Sequence, residues 1–450
     1  MVPALEVSAE DQQHGSGPKP GALSPGVSKI LKTWRENVTP GFGTFPVVVD
    51  SAHGHTIKDV DGKEYIDMIS QFAVSNFGHS HPKIVEAVVD QIRKVALVNT
   101  SYVHPLYAEL AERLNKKFGY DSIAAMVTGS EAIDACVKIA RKWAYVKKKI
   151  PANEAWILTT DCCYHGVTLI TMNLSNVKAE NFGKHIPHVG PFGPTSGRLV
   201  RYGNVEDLQQ VLEESGHQIA AFMIEPIQGL AGTKIPPEGY LKAAQDLCQK
   251  HNVLFICDEI QTGLGRTGTD LAYQHESVKP DLVALGKAIT GGVVPMSIVM
   301  GKREVMEIIQ PYDVASTYAG MPAACAAALA ALDVLEDEAI SARSQRLGQL
   351  LAELISSAGL PYVLEHRGCG RGLFQTLVID EVPSKGITAR RIAALCALRG
   401  VLCGNTANRL RFSPPLTISE EALAKAVEVL SGAFSDVATL GEFPGSNGLD

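Results

Sequence analysis

Short apolar segments alternate with amphipathic helical patterns from about residue 79 onwards, and this alternation limits the fold more than any other feature of the sequence. Four of the apolar segments read AWILTTD, IAAFMIEPIQG, VLFICDEIQTG and DLVALGKAITGG, and each has the composition of a buried β-strand. Helical patterns such as HPKIVEAVVDQIRKVA place apolar residues three and four positions apart. Alternation of this kind predicts an α/β fold with a mainly parallel sheet.

The rest of the chain divides into segments of different composition. Residues 1–27 are rich in Pro, Gly and Ser and predict a disordered arm. Residues 28–78 predict an N-terminal segment with a β-hairpin, in which DVDGKEY forms the turn between two strands. The α/β pattern fills residues 79–325 and predicts one large domain. Residues 326–450 combine helical patterns with GLFQTLVID and NRLRFSPPL and predict a smaller α+β domain.

Composition and charge limit the class of partner. The chain has 450 residues, of which 46% are hydrophobic, so it can bury a large core. Its net charge is −7 and no run of five or six like charges is present, which argues against nucleic acid and acidic membrane surfaces as partners. No apolar run approaches the ~20 residues that cross a bilayer. We therefore expect a small molecule or another protein as the partner.

The cysteines and the N-terminal residues indicate the compartment. Nine cysteines show neither a CxxC pattern nor the spacing of a zinc site, so reduced and mostly buried thiols are expected. The first 26 residues contain Glu6, Glu10 and Asp11 and no arginine, which argues against a secretory signal and against a transit peptide. These observations predict a cytoplasmic protein.

Three of the predicted strands end in an ionisable residue. The segment AAFMIE ends in Glu225, VLFICD in Asp258 and LVALGK in Lys287. The separations are 33 residues (258 − 225) and 29 residues (287 − 258), close to the ~30 residues of a βαβ unit. Because the carboxyl ends of parallel strands share one edge of the sheet, we expect the three side chains to meet there.

A fourth segment brings an anion site to the same edge. MVTGSEAIDA runs from a short strand through Gly129 and Ser130 into a helix, so backbone N–H groups and a hydroxyl are directed at the space above the sheet. A lysine, a carboxylate and a phosphate cradle together indicate pyridoxal phosphate, whose chemistry uses a lysine Schiff base and a carboxylate beside the ring nitrogen. The glycine-flanked turn around Lys287 would let its amine move between cofactor and substrate.

Each of these residues also has an ordinary interpretation. Taken alone, Lys287 is typical of a solvated loop lysine, Asp258 and Glu225 of helix caps, and Gly129 with Ser130 of a capped helix start. The combination at successive strand ends favours a site. Since the lysine and both carboxylates are present, the pattern also favours an enzyme over a catalytically silent binding protein.

Two further motifs point elsewhere. GLGRTG, residues 263–268, matches the GxGxxG pattern of dinucleotide-binding dehydrogenases, but TDLAYQHESVKPD after it is a poor helix and contains Pro280. These glycines are better explained as a turn beside Asp258. His79 and His81 in GHSHP have no further Cys, His or acidic residue nearby, which is typical of a turn before a helix. We therefore expect no metal site.

The motifs taken together resemble a known family. CDEIQTGLGRTG, ALGKAITGG, IEPIQG, TGSEA and STYAG, in their positions along the chain, are similar to those of the class III aminotransferases, which are fold type I pyridoxal phosphate enzymes. The similarity covers roughly residues 40–432 and is closest to the ornithine aminotransferases. It implies a fold type I transferase with a large domain, a smaller C-terminal domain and an N-terminal segment.

The resemblance implies roles for the residues around the cofactor. Lys287 matches the Schiff-base lysine, Asp258 the partner of the pyridine nitrogen, and Gln261 the neighbour of the phenolic oxygen. Tyr164 in CCYHG matches the aromatic ring that stacks on the cofactor, and Glu225 matches a supporting glutamate.

It also implies how the phosphate and the substrate are bound. Gly129 and Ser130 match the phosphate loop, and Thr317 in STYAG matches a residue that reaches the phosphate of the neighbouring subunit. A homodimer is therefore implied. Arg411 in LRFSPP matches the arginine that binds a substrate carboxylate, a bidentate task that suits a guanidinium.

The predicted substrate pocket differs from that of ornithine aminotransferases. Val167 stands where those enzymes have an arginine, and Phe42 and Phe72 align with their tyrosines. Leu230 follows EPIQG, where the family often has a glutamate that pairs with the arginine corresponding to Arg411. Without that glutamate, we expect Arg411 to bind a carboxylate at every turnover, because an unpaired buried guanidinium is costly.

The sequence thus predicts a homodimeric pyridoxal phosphate aminotransferase that moves an amino group between an amino acid and a 2-oxo acid. The apolar pocket fits an α-amino acid with an apolar or modest side chain better than ornithine. Racemisation, decarboxylation or carbon–carbon bond formation on an α-amino acid remains an alternative for the same scaffold. Only transamination requires an oxo acid acceptor.

Overall fold

The computed structural model describes residues 23–39, 41, 43–175, 179–183 and 186–447. Most of the predicted arm therefore lies outside the described residues, as does Phe42. The last residues of that arm differ from the prediction, because a helix begins at Pro25, where Ser24 Oγ accepts from the Val27 N–H at 3.1 Å. Proline at the first helical position and serine before it are both favourable for a helix start.

Fifteen strands and thirteen helices are found in the described residues. The strands are β1 Val49–His53, β2 Thr56–Asp59, β3 Glu64–Asp67, β4 Ser122–Met126, β5 Trp156–Leu158, β6 Val189–Gly190, β7 Ile219–Ile224, β8 Leu254–Asp258, β9 Leu282–Leu285, β10 Ser297–Gly301, β11 Val363–Arg367, β12 Gln375–Ile379, β13 Val401–Leu402, β14 Gly404–Thr406 and β15 Arg409–Phe412. The helices are α1 Pro25–Asn37, α2 Ser70–Ala73, α3 Pro82–Lys94, α4 Pro105–Phe118, α5 Gly129–Trp143, α6 Leu169–Ser175, α7 Val205–Ser215, α8 Tyr240–Lys250, α9 Arg303–Met306, α10 Pro322–Asp337, α11 Ile340–Ser357, α12 Ala389–Leu398 and α13 Glu420–Asp436.

The central sheet has seven strands in the order β4-β10-β9-β8-β7-β5-β6. Strands β5 to β9 pair in parallel, whereas β10 is antiparallel to both of its neighbours, β4 and β9. Because β10 is antiparallel to both β9 and β4, β4 runs in the same direction as the parallel strands. The predicted α/β fold with a mainly parallel sheet is therefore confirmed. The carboxyl ends of β4, β5, β7, β8 and β9 lie at the same edge of this sheet.

Both faces of this sheet are covered, which explains why its strands are apolar at every position. Phe255 and Cys257 of β8 belong to one core cluster, while Leu254 and Ile256 belong to the cluster that contains α5. Successive side chains of a strand point to opposite faces, and a sheet covered on both sides has no polar face. Uninterrupted apolar strands such as IAAFMI follow from this burial.

The predicted hairpin is formed by β2 and β3, which pair antiparallel across the DVDGKEY turn. Strand β13 joins them in parallel on the other side of β3, so a C-terminal segment completes the N-terminal sheet β1-β2-β3-β13. A third, antiparallel sheet has the order β11-β12-β15-β14 and contains the strands predicted in GLFQTLVID and NRLRFSPPL. In the described part of the chain, no helix has the length and apolar character needed to cross a bilayer.

Candidate active site

A cavity of about 250 Å³ lies at the carboxyl edge of the central sheet. Loops that follow strands β4, β5, β7, β8 and β9 line it. Seven of the residues predicted to bind the cofactor or act in catalysis contribute to its wall, namely Gly129, Ser130, Tyr164, Glu225, Asp258, Gln261 and Lys287. Residues far apart in the chain are thus brought to one place, as the strand-end argument predicted.

Asp258 is held by a buried histidine. Its Oδ2 lies 2.8 Å from His165 Nδ1, and its Oδ1 accepts from the Ile260 N–H at 3.0 Å. Burial disfavours the imidazolium, but the Cys163 sulfur and the Asp258 carboxylate outweigh it, so the pKa of His165 lies well above its ordinary value. These two contacts fix the orientation of the carboxyl group, which suits it to bind a protonated ring nitrogen.

Glu225 links the loop after β5 to the loop after β7. Its Oε1 accepts from the Tyr164 N–H at 2.8 Å and its Oε2 from the Gly229 N–H at 3.1 Å. Burial raises the pKa of Glu225 to about 7, with the His165 charge acting in the opposite direction. The carboxyl group therefore fixes the Tyr164 backbone at the cavity wall and can change its charge near neutral pH.

Lys287 lies two residues after the end of β9, at the start of a short 3-10 helix over Lys287–Thr290. It has a positive φ of 45°, a conformation that costs free energy in a residue with a Cβ and is found at functional sites. Burial lowers the pKa of its amine, although Asp258 and Glu225 oppose the shift. A larger fraction of neutral amine, the nucleophilic and basic form, follows.

The start of α5 forms the predicted anion cradle. Thr128 Oγ1 accepts from the Glu131 N–H at 3.2 Å in a capping box, and Gly129 and Ser130 follow in the first turn, where N–H groups have no helical acceptor. Gly166 lies directly against this turn, and a Cβ added there would be 2.2 Å from Ser130 Oγ. With a φ of +124° as well, this position requires glycine.

Arg411 reaches the site from β15 in the third sheet. It is 4% exposed, its Nη2 donates to Gln261 Oε1 at 3.4 Å, and its guanidinium lies 5.7 Å from the centre of the Phe72 ring. Gln261 Nε2 in turn donates to the Phe72 carbonyl at 3.0 Å. Burial lowers the pKa of Arg411 to about 10, and Glu225 opposes the shift through space. Among the described residues Arg411 forms no ion pair with a carboxylate.

Phe72 is carried by a left-handed turn. The four residues of α2 have φ values of 42°, 54°, 61° and 69°, although none of them is glycine. Asp67 Oδ1 accepts the N–H groups of Ile69 and Ser70 at 2.8 and 2.9 Å at the start of this turn. Left-handed backbone costs about 1–2 kcal/mol per residue with a Cβ, so the surrounding contacts must enforce it.

The other predicted substrate and phosphate residues lie at the edge of the site or outside it. Val167 is 65% exposed, and Leu230 is half-buried in the loop after β7. Thr317 is exposed and does not line the cavity of its own chain. Phe42 lies outside the described residues, so its role stays a prediction.

The motifs GHSHP and GLGRTG form contacts within the fold. His79 Nε2 lies 2.7 Å from Asp67 Oδ2, and His81 Nε2 lies 3.2 Å from Glu338 Oε1. The described residues contain no group of three or more His, Cys, Asp or Glu that could hold a metal ion. GLGRTG forms a turn that is not followed by an α-helix over the next residues, and its Arg266 is fully buried.

His165 lines the cavity and contacts Asp258, but the sequence did not predict it as a site residue. It follows Tyr164 in CCYHG and does not sit at the end of a regular strand, since β5 ends at Leu158. The only signal is a histidine next to the aromatic residue predicted to stack on the cofactor. Once that loop is known to face Asp258, the imidazole is the natural partner of the carboxylate.

The cavity fits pyridoxal phosphate. A half-buried lysine, a carboxylate held by an imidazole, a half-buried tyrosine and a helix N-terminus surround one space. These are the groups that an aldehyde, a pyridinium nitrogen, an aromatic ring and a phosphate require. Lys287, Asp258, Tyr164, Gly129 and Ser130 could hold the respective parts of the cofactor.

Comparison with known proteins agrees with this geometry. Residues 38–434 match the model of the family described as aminotransferase class-III. The ornithine aminotransferase of Schizosaccharomyces pombe is 41% identical over 412 residues, which span 91% of this chain and 94% of that protein.

Solved structures give the same result. A structure of the ornithine aminotransferase from Toxoplasma gondii with partial occupancy of pyridoxal phosphate is 34% identical in sequence and has a TM-score of 0.85. The match spans 92% of this chain and 95% of that chain. The acetylornithine aminotransferase from Elizabethkingia anophelis is 35% identical with a TM-score of 0.80, over 91% of this chain and 99% of that chain. The chain belongs to the class III aminotransferases.

Proposed function

We propose that this protein transfers the amino group of an α-amino acid with an apolar side chain to a 2-oxo acid, and that it is not specific for ornithine. As a class III aminotransferase it depends on pyridoxal 5'-phosphate. The observation that carries the substrate proposal is Arg411, which is buried and has no carboxylate partner among the described residues.

When bound, the cofactor supplies an aldehyde that carries the amino group and a protonated ring that accepts electron density from the substrate Cα. Lys287 Nζ would give up its place to the substrate amine and then move the proton from Cα, because burial favours the neutral amine. The Asp258 carboxylate would keep the ring nitrogen protonated, and His165 Nδ1 orients that carboxylate. Ser130 and the first N–H groups of α5 would bind the phosphate.

Arg411 supports the choice of a carboxylate-bearing donor. Its partner Gln261 Oε1 carries no formal charge and Glu225 acts on Arg411 only through space, so among the described residues no carboxylate pairs directly with this buried guanidinium. A bidentate carboxylate would replace this long contact of 3.4 Å with two charge-assisted hydrogen bonds. We therefore infer that the donor's carboxylate is bound by Arg411 in every catalytic cycle.

Leu230 stands in the loop after β7 at a position where a glutamate could pair with Arg411. The preceding Gly229 approaches Gln261 so closely that a Cβ added to Gly229 would be 1.8 Å from Gln261 Oε1. A Cβ added to Gly232 would be 2.5 Å from Arg409 Cδ. The 229–232 loop thus runs beside both Gln261 and the strand of Arg411. A leucine in that loop offers no charge to pair with the guanidinium.

The apolar character of Val167 and Phe72, the residues predicted to face the donor, supports an apolar side chain in the donor. Neither residue can form an ion pair with the α-amino and α-carboxylate groups of ornithine. The relatives named above favour ornithine as the second candidate, since one of them is an ornithine aminotransferase 41% identical to this chain. Ornithine would need polar partners for its α-amino and α-carboxylate groups at Val167 and Phe72, whereas an apolar α-amino acid would need only apolar contacts there.

The test is a panel of amino donors with one saturating 2-oxo acid. We expect higher kcat/KM for apolar α-amino acids such as leucine than for ornithine, and no sustained turnover when the oxo acid is omitted. Racemisation or decarboxylation would proceed without the acceptor. A clear preference for ornithine would refute the substrate proposal while leaving the class of enzyme unchanged.

Leu230→Glu tests the role of Arg411 directly. A glutamate in this loop would pair with the guanidinium, so we expect KM for the α-amino acid donor to rise by about tenfold or more, while donors without a carboxylate are affected much less. Leu230→Gln is the matched control, because it changes the shape without adding a charge. Equal KM values for the two variants would contradict the proposal.

We also propose that the enzyme is a homodimer in which Thr317 of each subunit contributes to the partner's phosphate site. Thr317 and Tyr318 are exposed, and the nearby Tyr312 is 95% exposed. Tyr107 contacts Gly320 from the segment that also contains Val103, which is 92% exposed. Exposed apolar side chains on adjacent loops are typical of a surface that another subunit covers.

A further inference from the structure

Arg266 is a fully buried cation with four neutral hydrogen-bond acceptors. Its Nη1 donates to the carbonyls of Leu373 and Pro414 at 2.9 and 2.7 Å. Its Nη2 donates to Ser70 Oγ at 3.2 Å and to Asn76 Oδ1 at 2.5 Å. Among the described residues it forms no ion pair with a carboxylate.

A charge in this position is costly to bury. Burial lowers the pKa of Arg266 to about 9, and the charge of Asp67 opposes the shift only from a distance. Well-packed apolar residues often stabilise a core as much as a buried ionic group does. What a guanidinium adds is a rigid fork that fixes the relative positions of its acceptors.

The first pair of acceptors belongs to the turn that carries Phe72. Ser70 begins this left-handed turn and Asn76 follows it, so Nη2 spans both sides of Phe72. Ser70 Oγ also donates to the Ser413 carbonyl at 2.6 Å, and Ser413 Oγ donates to the Ile69 carbonyl at 3.0 Å. The unfavourable backbone of the turn is thus held by contacts with residues around 413.

The second pair of acceptors belongs to the third sheet. Pro414 lies three residues after Arg411 and two residues after the end of β15. Leu373 precedes β12, which pairs with β15 so that Thr376 lies opposite Arg411. One guanidinium therefore joins the segment of Phe72 to the strand of Arg411.

We propose that Arg266 is a positioning residue for substrate binding, in that its fork sets the distance between Phe72 and Arg411 and so shapes the carboxylate pocket. This inference rests on the proposed role of Arg411 in binding the donor carboxylate. Arg266 itself touches neither substrate nor cofactor. Its loss should impair binding of the carboxylate and leave the chemical step intact.

Arg266→Lys tests the proposal, because lysine keeps the charge and loses the planar fork. Arg343→Lys is the matched control: Arg343 Nη2 donates to the carbonyls of Thr417 and Ile418 at 2.9 and 3.2 Å, close to the same segment, but does not reach the Phe72 turn. Two measurements are made, namely the Kd of 4-methylpentanoate on the cofactor-free protein by calorimetry, and KM and kcat of the loaded enzyme with leucine.

For Arg266→Lys we expect Kd and KM to rise together by about tenfold, with kcat and the visible absorbance band of the cofactor unchanged, since small displacements of a binding group weaken binding strongly. Arg343→Lys should lower the unfolding temperature without changing Kd. Ser70→Ala, which removes one acceptor of the fork, should reproduce the rise in Kd in case Arg266→Lys does not fold.

Other outcomes overturn the proposal. An unchanged Kd in Ser70→Ala and Arg266→Lys, or a fall in kcat equal to the rise in KM, would mean that Arg266 is structural only. Arg411→Met separates the two levels of inference: if it does not weaken 4-methylpentanoate binding, both the carboxylate-binding role of Arg411 and the positioning role of Arg266 fail. If it does and the Arg266 variant does not, only the positioning role fails.

Discussion

Burial acts on Glu225 and Lys287 in opposite directions but to the same end, because it favours the neutral form of each. It raises the pKa of the Glu225 carboxyl to about 7 and lowers the pKa of the Lys287 amine. Asp258 lies between them, and His165 and the Ile260 N–H fix the orientation of its carboxyl group. The site therefore contains two groups, Glu225 and Lys287, that can change charge at small cost.

Glu225→Gln should change how stability depends on pH. A carboxyl whose pKa is raised in the folded state favours folding below its ordinary pKa of 4.5, and this contribution is lost as the pH rises to about 7. The cofactor-free wild type should therefore lose on the order of 3 kcal/mol relative to the variant over that window. The measurement is the free energy of unfolding in urea at several pH values.

The control for this comparison is Glu353→Gln, which replaces an exposed carboxylate bonded to Gln349. Its pH dependence should match the wild type. Parallel curves for wild type and Glu225→Gln would show that the folded state does not raise the pKa of Glu225.

At the level of single residues, the sequence could predict Glu225, Asp258 and Lys287 because each follows a continuous apolar strand. The pattern carried no such signal for His165 or Arg266. His165 lies in an irregular loop, and Arg266 lies in a glycine-rich turn whose arginine would ordinarily be solvated. Their roles depend on what packs against them, which only the assembled fold reveals.

Loops that follow parallel strands are the elements that build the pocket, and they approach one another very closely. The loop after β7 and the loop after β8 meet at Gly229 and Gln261, where an added Cβ would be 1.8 Å from Oε1. Gln261 also accepts from Arg411 and donates to the Phe72 carbonyl. The side chain of Gln261 therefore connects Gly229, Phe72 and Arg411, the three parts of the proposed carboxylate pocket.

Gly229→Ala should push Gln261 out of this position. Its backbone does not have a positive φ, so alanine adds a clash without backbone strain. We expect KM for the amino donor to rise by about tenfold and the protein to lose roughly 1–3 kcal/mol of stability. Gly441→Ala, at an exposed position with nothing within 4 Å of an added Cβ, is the control. An unchanged KM in Gly229→Ala would exclude a positioning role for Gln261.

The sequence predicted the strands and helices around the site better than it predicted the turns between them and the strand directions. The apolar periods predicted β7, β8, β9 and the helix α5, because burial on both faces leaves a continuous apolar run. The left-handed turn α2 could not be predicted, since ISQFA contains no glycine and its conformation is enforced by Ser413 and Arg266. The reversed direction of β10 also has no signal in its own residues.

On the scale of the molecule, one chain supplies the lysine, the carboxylates and the N-terminus of α5, while Thr317 is exposed and does not line the cavity of its own chain. If Thr317 serves the partner's site, each active site requires two chains. This arrangement can be tested by combining two inactive chains. It distinguishes a shared site from a dimer whose subunits work independently.

A mixture of Lys287→Ala and Thr317→Asp chains should regain activity. Each variant alone is expected to be nearly inactive, because one lacks the lysine amine and the other places a carboxylate beside the phosphate. In a mixed dimer one site has both native residues, so random pairing of equal amounts should restore about a quarter of wild-type activity. Unfolding and refolding the chains together provides the exchange.

Refolding each variant separately and then combining the two under conditions without exchange is the control, and it should show no recovery. If the mixed preparation also stays inactive although size measurements find dimers, Thr317 does not act across the interface.

The antiparallel strand β10 and the short strand β13 have a consequence for how the chain matures. The anion cradle follows β4, yet β4 gains its neighbour in the sheet only when residues 297–301 are available. The hairpin near the N-terminus likewise gains its last strand from residues 401–402. During synthesis, early segments must therefore wait for late ones, so a ribosome-bound chain that stops short of residue 301 should be unable to bind the coenzyme, and one that stops short of residue 402 leaves β3 without its last neighbour.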